Sequence, residues 1–153
     1  MECSEQVEIL VVGQPPRYAK PGDAGMDLSS RVEMTLAPQA RALLPTGVSI
    51  ALPAGYVGWV TPRSGLAINH GITLVNAPGI IDAGYRGEIS VVIWNTDPTE
   101  SFEIRVGDRI AQLVVTRFAH AKMLEVDSLP GSQRDTGGFG STGRAAHAPE
   151  ERQ

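Results

Sequence analysis

Seventeen glycines and eleven prolines cut this chain of 153 residues into short apolar and β-branched runs. No stretch of ten or more residues carries apolar side chains convincingly at helix spacing. That pattern of strand-like run and turn restricts the fold to an all-β class: a sandwich, jelly roll or barrel. Val32, Met34 and Leu36 alternate with polar residues, as do Val48, Ile50 and Leu52, and Phe102, Ile104 and Val106. This is the period of strands with one buried face. Residues 7–12, 42–44, 56–60, 110–115 and 118–126 are further predicted strands, and 89–94, the strongest apolar run, is predicted to be central. Pro45 to Gly47 is read as a break between two strands. Residues 66–70 can form one short helical turn, which Gly71 ends. Gly58 leaves room for close approach of a neighbour.

The length fits one domain that buries about two-thirds of its extended-chain surface. The single Cys3 excludes an internal disulfide and any multi-cysteine zinc site. A formal charge of −4 argues against a general nucleic-acid surface, though local arginines can still oppose it and hold a phosphate. No apolar run has the length a membrane span needs. The opening MECSEQVE has neither a basic start nor an apolar secretory core, so the expected location is cytoplasmic. Residues 129–152 are rich in Gly, Ser, Thr, Arg, Pro and Ala and cannot build a core. The expected division is a β domain over 1–129 and a flexible, glycine-rich arm over 130–153. The arm is either a disordered tail or a segment that orders over a ligand. In the latter case the backbone of RDTGGFGSTG can wrap phosphates, with Arg134 as a charge partner and Phe139 as a flat face for a ring.

The chain is organised around residues 73–95, TLVNAPGIIDAGYRGEISVVIWN. Its turn-rich middle brings an amide, a carboxylate, a phenol and a guanidinium close together: Asn76, Asp82, Tyr85 and Arg86. β-like runs hold it at both ends. Such a loop can contact a polar ring, a sugar and a charged group together. The plain alternative is a structural hairpin in which Asn and Asp cap turns. Asp27, between Met26 and Leu28, either faces a site or accepts backbone N–H bonds. Gln112 interrupts an apolar run and needs a backbone partner if buried. Ser64 as a nucleophile lacks a base, because His70, His120 and His147 form no pattern that supplies one. A histidine-ligated metal fails for the same reason. No P-loop, dinucleotide fingerprint or nucleophile elbow is present. Carboxylates, arginines and a phosphate-wrapping arm fit water activation at a phosphate better. Asp82 would polarise the water, and Mg²⁺ would be held largely by substrate oxygens and water.

Five motifs stand in an order that resembles the homotrimeric dUTPase family. They are AGMDLSS at 24–30, PRSGLA at 62–67, VNAPGIIDAGYRGEI at 75–89, GDRIAQLVV at 107–115 and RDTGGFGSTG at 134–143. The resemblance implies a distorted jelly-roll subunit in a homotrimer whose active sites are shared between chains. It implies hydrolysis of dUTP to dUMP and pyrophosphate by Mg²⁺-assisted attack of water on the α-phosphorus. By the same resemblance Asp82 activates the water and touches the sugar 3′-hydroxyl, and Tyr85 lies under the deoxyribose and crowds out a ribose 2′-hydroxyl. Asn76, with adjacent backbone including Gly79, reads the uracil edge. Arg63, Ser64 and Gly65 bind phosphates for a neighbouring subunit, Ser64 by charge stabilisation, and Gln112 lies near the α-phosphate and the water. Asp27 holds magnesium-bound water. Asp108 takes an ion-pair or turn role. Phe139 stacks on uracil while Arg134, Gly140, Ser141 and Thr142 close over the phosphates. Two rivals remain to be weighed. One is the related dCTP deaminases, which show a different arginine–serine motif. The other is a nucleotide-binding jelly roll without turnover, against which Asp82, Tyr85 and the arm motif argue.

Overall fold

The computed structural model describes residues 6–132 and Thr136. The chain divides into two units, Met1–His120 and Ala121–Gln153. The first unit holds eleven strands and one short helix. In order these are β1 (Leu10–Val12), β2 (Arg17–Tyr18), β3 (Met26–Ser29), β4 (Met34–Leu36), β5 (Arg41–Ala51), β6 (Tyr56–Thr61), α1 (Ser64–His70), β7 (Ile72–Leu74), β8 (Gly79–Ile81), β9 (Glu88–Asn95), β10 (Phe102–Ile104) and β11 (Arg109–Arg117). They make three sheets: four strands ordered β1-β5-β9-β7, five ordered β2-β3-β11-β6-β8, and the pair β10-β4. This is the mostly-β, distorted jelly-roll architecture.

One apolar cluster draws on all three sheets. Leu44, Ile72, Val91 and Ile93 come from the four-stranded sheet, Leu28, Ile110 and Leu113 from the five-stranded one, and Leu36 and Ile104 from the pair. Each fully buried Leu or Ile contributes about 2 kcal/mol relative to exposure. Alternation decides which side chains enter: Leu44, Thr46, Val48 and Ile50 of β5 point inward in strict period, and Ile89, Val91, Ile93 and Asn95 of β9 do the same. Strand β9 lies between β5 and β7, as its apolar run predicts.

Three local expectations change. The break at Pro45 to Gly47 does not divide β5. The strand runs through it, with a register shift between Pro45 and Ser49 against β9. Gly47, at φ +69°, takes up the bulge, and its N–H donates to Glu88 Oε1 at 2.6 Å. Residues 118–126 form no strand. Pairing of β11 with β6 ends at Arg117↔Tyr56, and alternation without a partner edge makes no ladder. The first strand is limited to Leu10–Val12, opposite Ala51–Ser49. In the second unit, Met123, Leu124 and Leu129 are exposed, and residues 121–126 have no regular secondary structure.

Among the described residues, the one large polar side chain buried completely is Asn95. Its Nδ2 donates to the carbonyls of Leu36, Ala37 and Glu100, and its Oδ1 accepts from Asp97 N–H at 3.0 Å. It thereby ties the end of β9 to the turn after β4 and to the turn before β10. Asn95→Ala strands several of these groups and is expected to lower stability by about 3 kcal/mol, read as a lower urea midpoint. Beside it, Asp97 Oδ1 accepts the N–H groups of Glu100 and Thr99. These bonds, Glu100 first, hold its pKa below the ordinary 3.8. A depressed carboxylate contributes stability above its unfolded-chain pKa and loses it as pH falls through the folded value. Asp97→Asn is therefore expected to flatten the stability profile below about pH 4, measured by urea unfolding between pH 3 and 6.

Candidate active site

Strand β11 sets the first half of the site. Gln112 stands opposite Asp27 of β3 on one side and opposite Thr61 of β6 on the other. Gln112 Nε2 donates to the Pro62 carbonyl at 3.1 Å, the backbone partner its burial requires. Gly25 lies close against it: a Cβ there would sit 2.7 Å from Gln112 Oε1. The chain leaves β6 through Pro62 and turns into α1, whose seven residues begin at Ser64, two residues before the predicted helical turn. Gly71, left-handed at φ 64°, closes the helix and donates its N–H to the Ala67 carbonyl.

Asp27 is the electrostatic centre of this half. Its Oδ1 lies 3.2 Å from Arg63 Nε, and its Oδ2 accepts from Arg109 Nη1 at 3.0 Å. Arg63 Nη1 also donates to the Arg109 carbonyl at 3.0 Å. One carboxylate thus orients two guanidiniums. Asp27, Arg63, Ser64, Gly65 and Gln112 line a single cavity of about 380 Å³ together with Gly25 and Asp23. Among the described residues no histidine lines it. His70 instead packs against Phe102, ring centroids 5.1 Å apart. Asp108 takes the turn role: its Oδ2 accepts the Arg105 N–H at 2.9 Å.

The second half is the loop after β7, which carries β8. Strand β8 pairs with β6, placing Gly79 opposite Val60. A Cβ on Gly79 would come within 3.3 Å of Asn76 Nδ2, so the two predicted uracil-reading residues are adjacent. Beyond β8 the chain turns tightly, with Tyr85 N–H donating to the Asp82 carbonyl at 3.0 Å. Arg86 Nη1 donates to the carbonyls of Ala83 and Tyr85, bracing the loop from within. None of Asn76, Gly79, Asp82 and Tyr85 lines the cavity around Asp27. Arg134, Phe139, Gly140, Ser141 and Thr142 lie outside the described residues.

The sequence from residue 13 to 143 matches the dUTPase family model. This chain belongs to the dUTPase family. Among curated proteins, a deoxyuridine 5′-triphosphate nucleotidohydrolase of Leifsonia xyli is 55% identical over 141 residues, 92% of this chain and 93% of that protein. That of Streptomyces coelicolor is 61% identical over 128 residues, 84% of this chain and 70% of that protein. Among solved structures, a Staphylococcus bacteriophage 80alpha dUTPase with dUpNHpp superposes with a TM-score of 0.83 at 29% identity, covering 91% of this chain and 100% of that one. Family membership makes the chain a nucleotide-hydrolysing enzyme.

A dUTPase's magnesium fits these residues in one way only. Among the described residues no three His, Cys, Asp or Glu side chains group to cage a metal. Asp27 has both oxygens paired to arginine, yet each retains a lone pair for a water. A metal held mainly by phosphate and water suits such a donor set. Sequence reasoning passed over Arg109, although it lies inside the GDRIAQLVV motif. The signal was a cation three positions before the glutamine, which only strand register, with its shift between Arg109 and Ala111, connects to Asp27.

Asp27→Asn removes the charge that orients both arginines. The pairs are partly open to solvent, with Asp27 18% and Arg109 52% exposed. The stability cost is therefore expected to stay within about 1 kcal/mol. Turnover of dUTP is expected to fall about tenfold or more, because positioned charge is what phosphoryl chemistry uses. Urea unfolding and pyrophosphate release measured on one preparation separate the two effects.

Proposed function

We propose that this chain hydrolyses dUTP to dUMP and pyrophosphate by water attack on the α-phosphorus, in a homotrimer whose sites are completed across subunits. The observation that supports this is the division of the groups within one chain. Guanidinium, hydroxyl and amide groups suited to phosphates share the Asp27 cavity, while the carboxylate, phenol and amide suited to a nucleoside and a water stand on the loop after β7. The loop residues do not line that cavity, and in this reading a second copy of the chain brings both sets of groups to one substrate. The dUpNHpp in the 80alpha phage dUTPase supports a deoxyuridine nucleotide as the ligand.

In this reading Asp82 takes hydrogen bonds from the attacking water and from the sugar 3′-hydroxyl. Gln112, with Nε2 committed to Pro62, offers its Oε1 to the water near the α-phosphate. Arg63 meets growing phosphate charge, and Ser64 donates to the bridging oxygen as the bond breaks. Gly65 admits the phosphates closely because nothing lies within 4 Å of where its Cβ would be. Asn76 and the backbone at Gly79 read the uracil edge. Fixed groups there reject cytosine, which presents a donor where uracil presents an acceptor. Magnesium, held by the triphosphate and by water fixed at Asp27, supplies neutralisation of phosphate charge when bound. A structural Mg(II) ion in the phage phi11 dUTPase is a precedent for this metal in the family.

The arm from residue 130 onward closes over the filled site. Phe139 stacks on uracil, and Arg134, Gly140, Ser141 and Thr142 cover the phosphates and exclude bulk water. The remaining domain spans 1–129. The cellular role is to limit uracil incorporation into DNA and to supply dUMP for thymidylate synthesis, in the cytoplasm. No helix among the described residues is long and apolar enough to cross a membrane.

The test is pyrophosphate release from dUTP with Mg²⁺, run beside dCTP, dTTP and UTP and repeated after truncation before Arg134. Release from dUTP alone, lost on truncation and reduced at least about a hundredfold in Asp82→Asn, is the expected result. Ammonia release from dCTP, or tight dUTP binding without turnover, would replace this reading with a deaminase or a binding protein.

A further inference from the structure

The loop that carries Tyr85 is shaped around a residue that no role yet covers. Tyr85 does not stand free. Its Oη donates to the carbonyl of Glu88 at 3.0 Å, folding the ring back over the backbone of residue 87. The acceptor is fixed, because Glu88 is the first residue of β9, pairs with Ser49 of β5, and takes the Gly47 N–H on its side chain. The other end of the loop is fixed by the Asp82–Tyr85 turn and by Arg86. The phenol is therefore held at its tip as well as at its root.

Gly87 occupies the space beneath that tip. A Cβ there would lie 2.6 Å from Tyr85 Cζ and 3.0 Å from Cε2, and closer still to Oη. Gly87 is not among the positive-φ glycines, so its backbone suits any L residue. The three atoms nearest to where a Cβ would stand all belong to the Tyr85 ring and its hydroxyl, so a side chain at 87 requires the ring to shift. Gly84, in the same loop, gives the contrast: nothing lies within 4 Å of its would-be Cβ. Of the two loop glycines, only one is required by packing, and what it packs against is the phenol.

We propose that Gly87 is a specificity-positioning residue: by lacking a Cβ it lets the Tyr85 ring lie back against Glu88, and so fixes the wall that separates deoxyribose from ribose. The inference rests on the dUTP reading and on Tyr85 lying against the sugar. Steric discrimination of a single hydroxyl depends on a wall that does not move. A methyl group at 87 pushes the ring tip off the Glu88 carbonyl and leaves the wall misplaced.

The experiment compares kcat/KM for dUTP and UTP in the full-length protein and in Gly87→Ala, Gly84→Ala, Tyr85→Ala and the Tyr85→Ala/Gly87→Ala pair. Gly87→Ala is expected to lower the dUTP-to-UTP ratio about tenfold or more, the scale on which hydrophobic-pocket fit discriminates. Gly84→Ala is expected to leave the ratio unchanged. In the Tyr85→Ala background, adding Gly87→Ala is expected to change the ratio no further, since the clashing ring is gone. Should Gly87→Ala fail to fold, folding of the double variant supports the contact, and failure of both overturns it. An unchanged ratio in folded Gly87→Ala, or an equal drop with and without the Tyr85 ring, also overturns the proposal. A parent protein that hydrolyses neither nucleotide would defeat the dUTP reading itself, a result distinct from these.

Discussion

The register of β11 is the constraint on which the cavity around Asp27 depends. Each residue of that strand has fixed partners in β3 and β6, so Gln112 stands between Asp27 and Thr61. A slip by one residue would turn Gln112 toward the core and Leu113 toward the site. The core opposes such a slip, because Ile110, Ala111 and Leu113 are all buried and would be exchanged for polar neighbours. Apolar packing thus fixes the position of a polar amide, although the amide itself adds little to stability. The same register carries Arg109 to Asp27, and Asp27 in turn aligns Arg63.

Close backbone approach is the second recurring device. Gly25 gives way to the Gln112 amide, Gly79 to Asn76 and Gly87 to Tyr85. In each pair the glycine lies in or beside a strand or loop of the candidate site, and its partner is a polar or aromatic side chain. A missing Cβ lets a polar or aromatic group rest on the backbone, where neighbouring hydrogen bonds hold it. Rigid placement of this kind reduces the reorganisation left for the reaction itself. It also explains why a fold with so little helix can support precise groups on loops: the loops are braced at both ends by strands.

Among the described residues the buried polar groups are few and all paired. Ser30 donates to the Val32 carbonyl, Thr46 to the Ile89 carbonyl and Asn95 to three carbonyls at once. Among the described residues no buried side-chain nitrogen or oxygen lacks a partner. These pairings sit where sheets meet turns, at the points that ladder hydrogen bonds cannot reach. Asn95 is the clearest case, since its side chain links the end of β9 to the carbonyls of Leu36, Ala37 and Glu100.

The chain by itself determined the all-β class, the central place of the 89–94 run and a helical turn at 66–70, which the fold begins two residues earlier. Each rests on local physics: side-chain period, β-branching and the stops set by glycine and proline. Motif order also singled out Asp27, Arg63, Ser64, Gly65 and Gln112, from separate motifs; that they line one cavity is seen only in the folded chain. Tertiary structure decided the rest. Pro45 did not end β5, because a bulge at Gly47 and the Glu88 carboxylate absorbed the irregularity. Residues 118–126 did not become a strand, because a strand needs an edge to pair with and β6 ends the ladder at Tyr56. Arg109 joined Asp27 across 82 residues of sequence. The chain's periodicity fixes which face a residue takes, but partners distant in sequence depend on how the sheets are ordered, and that order is set by the packing of the whole core.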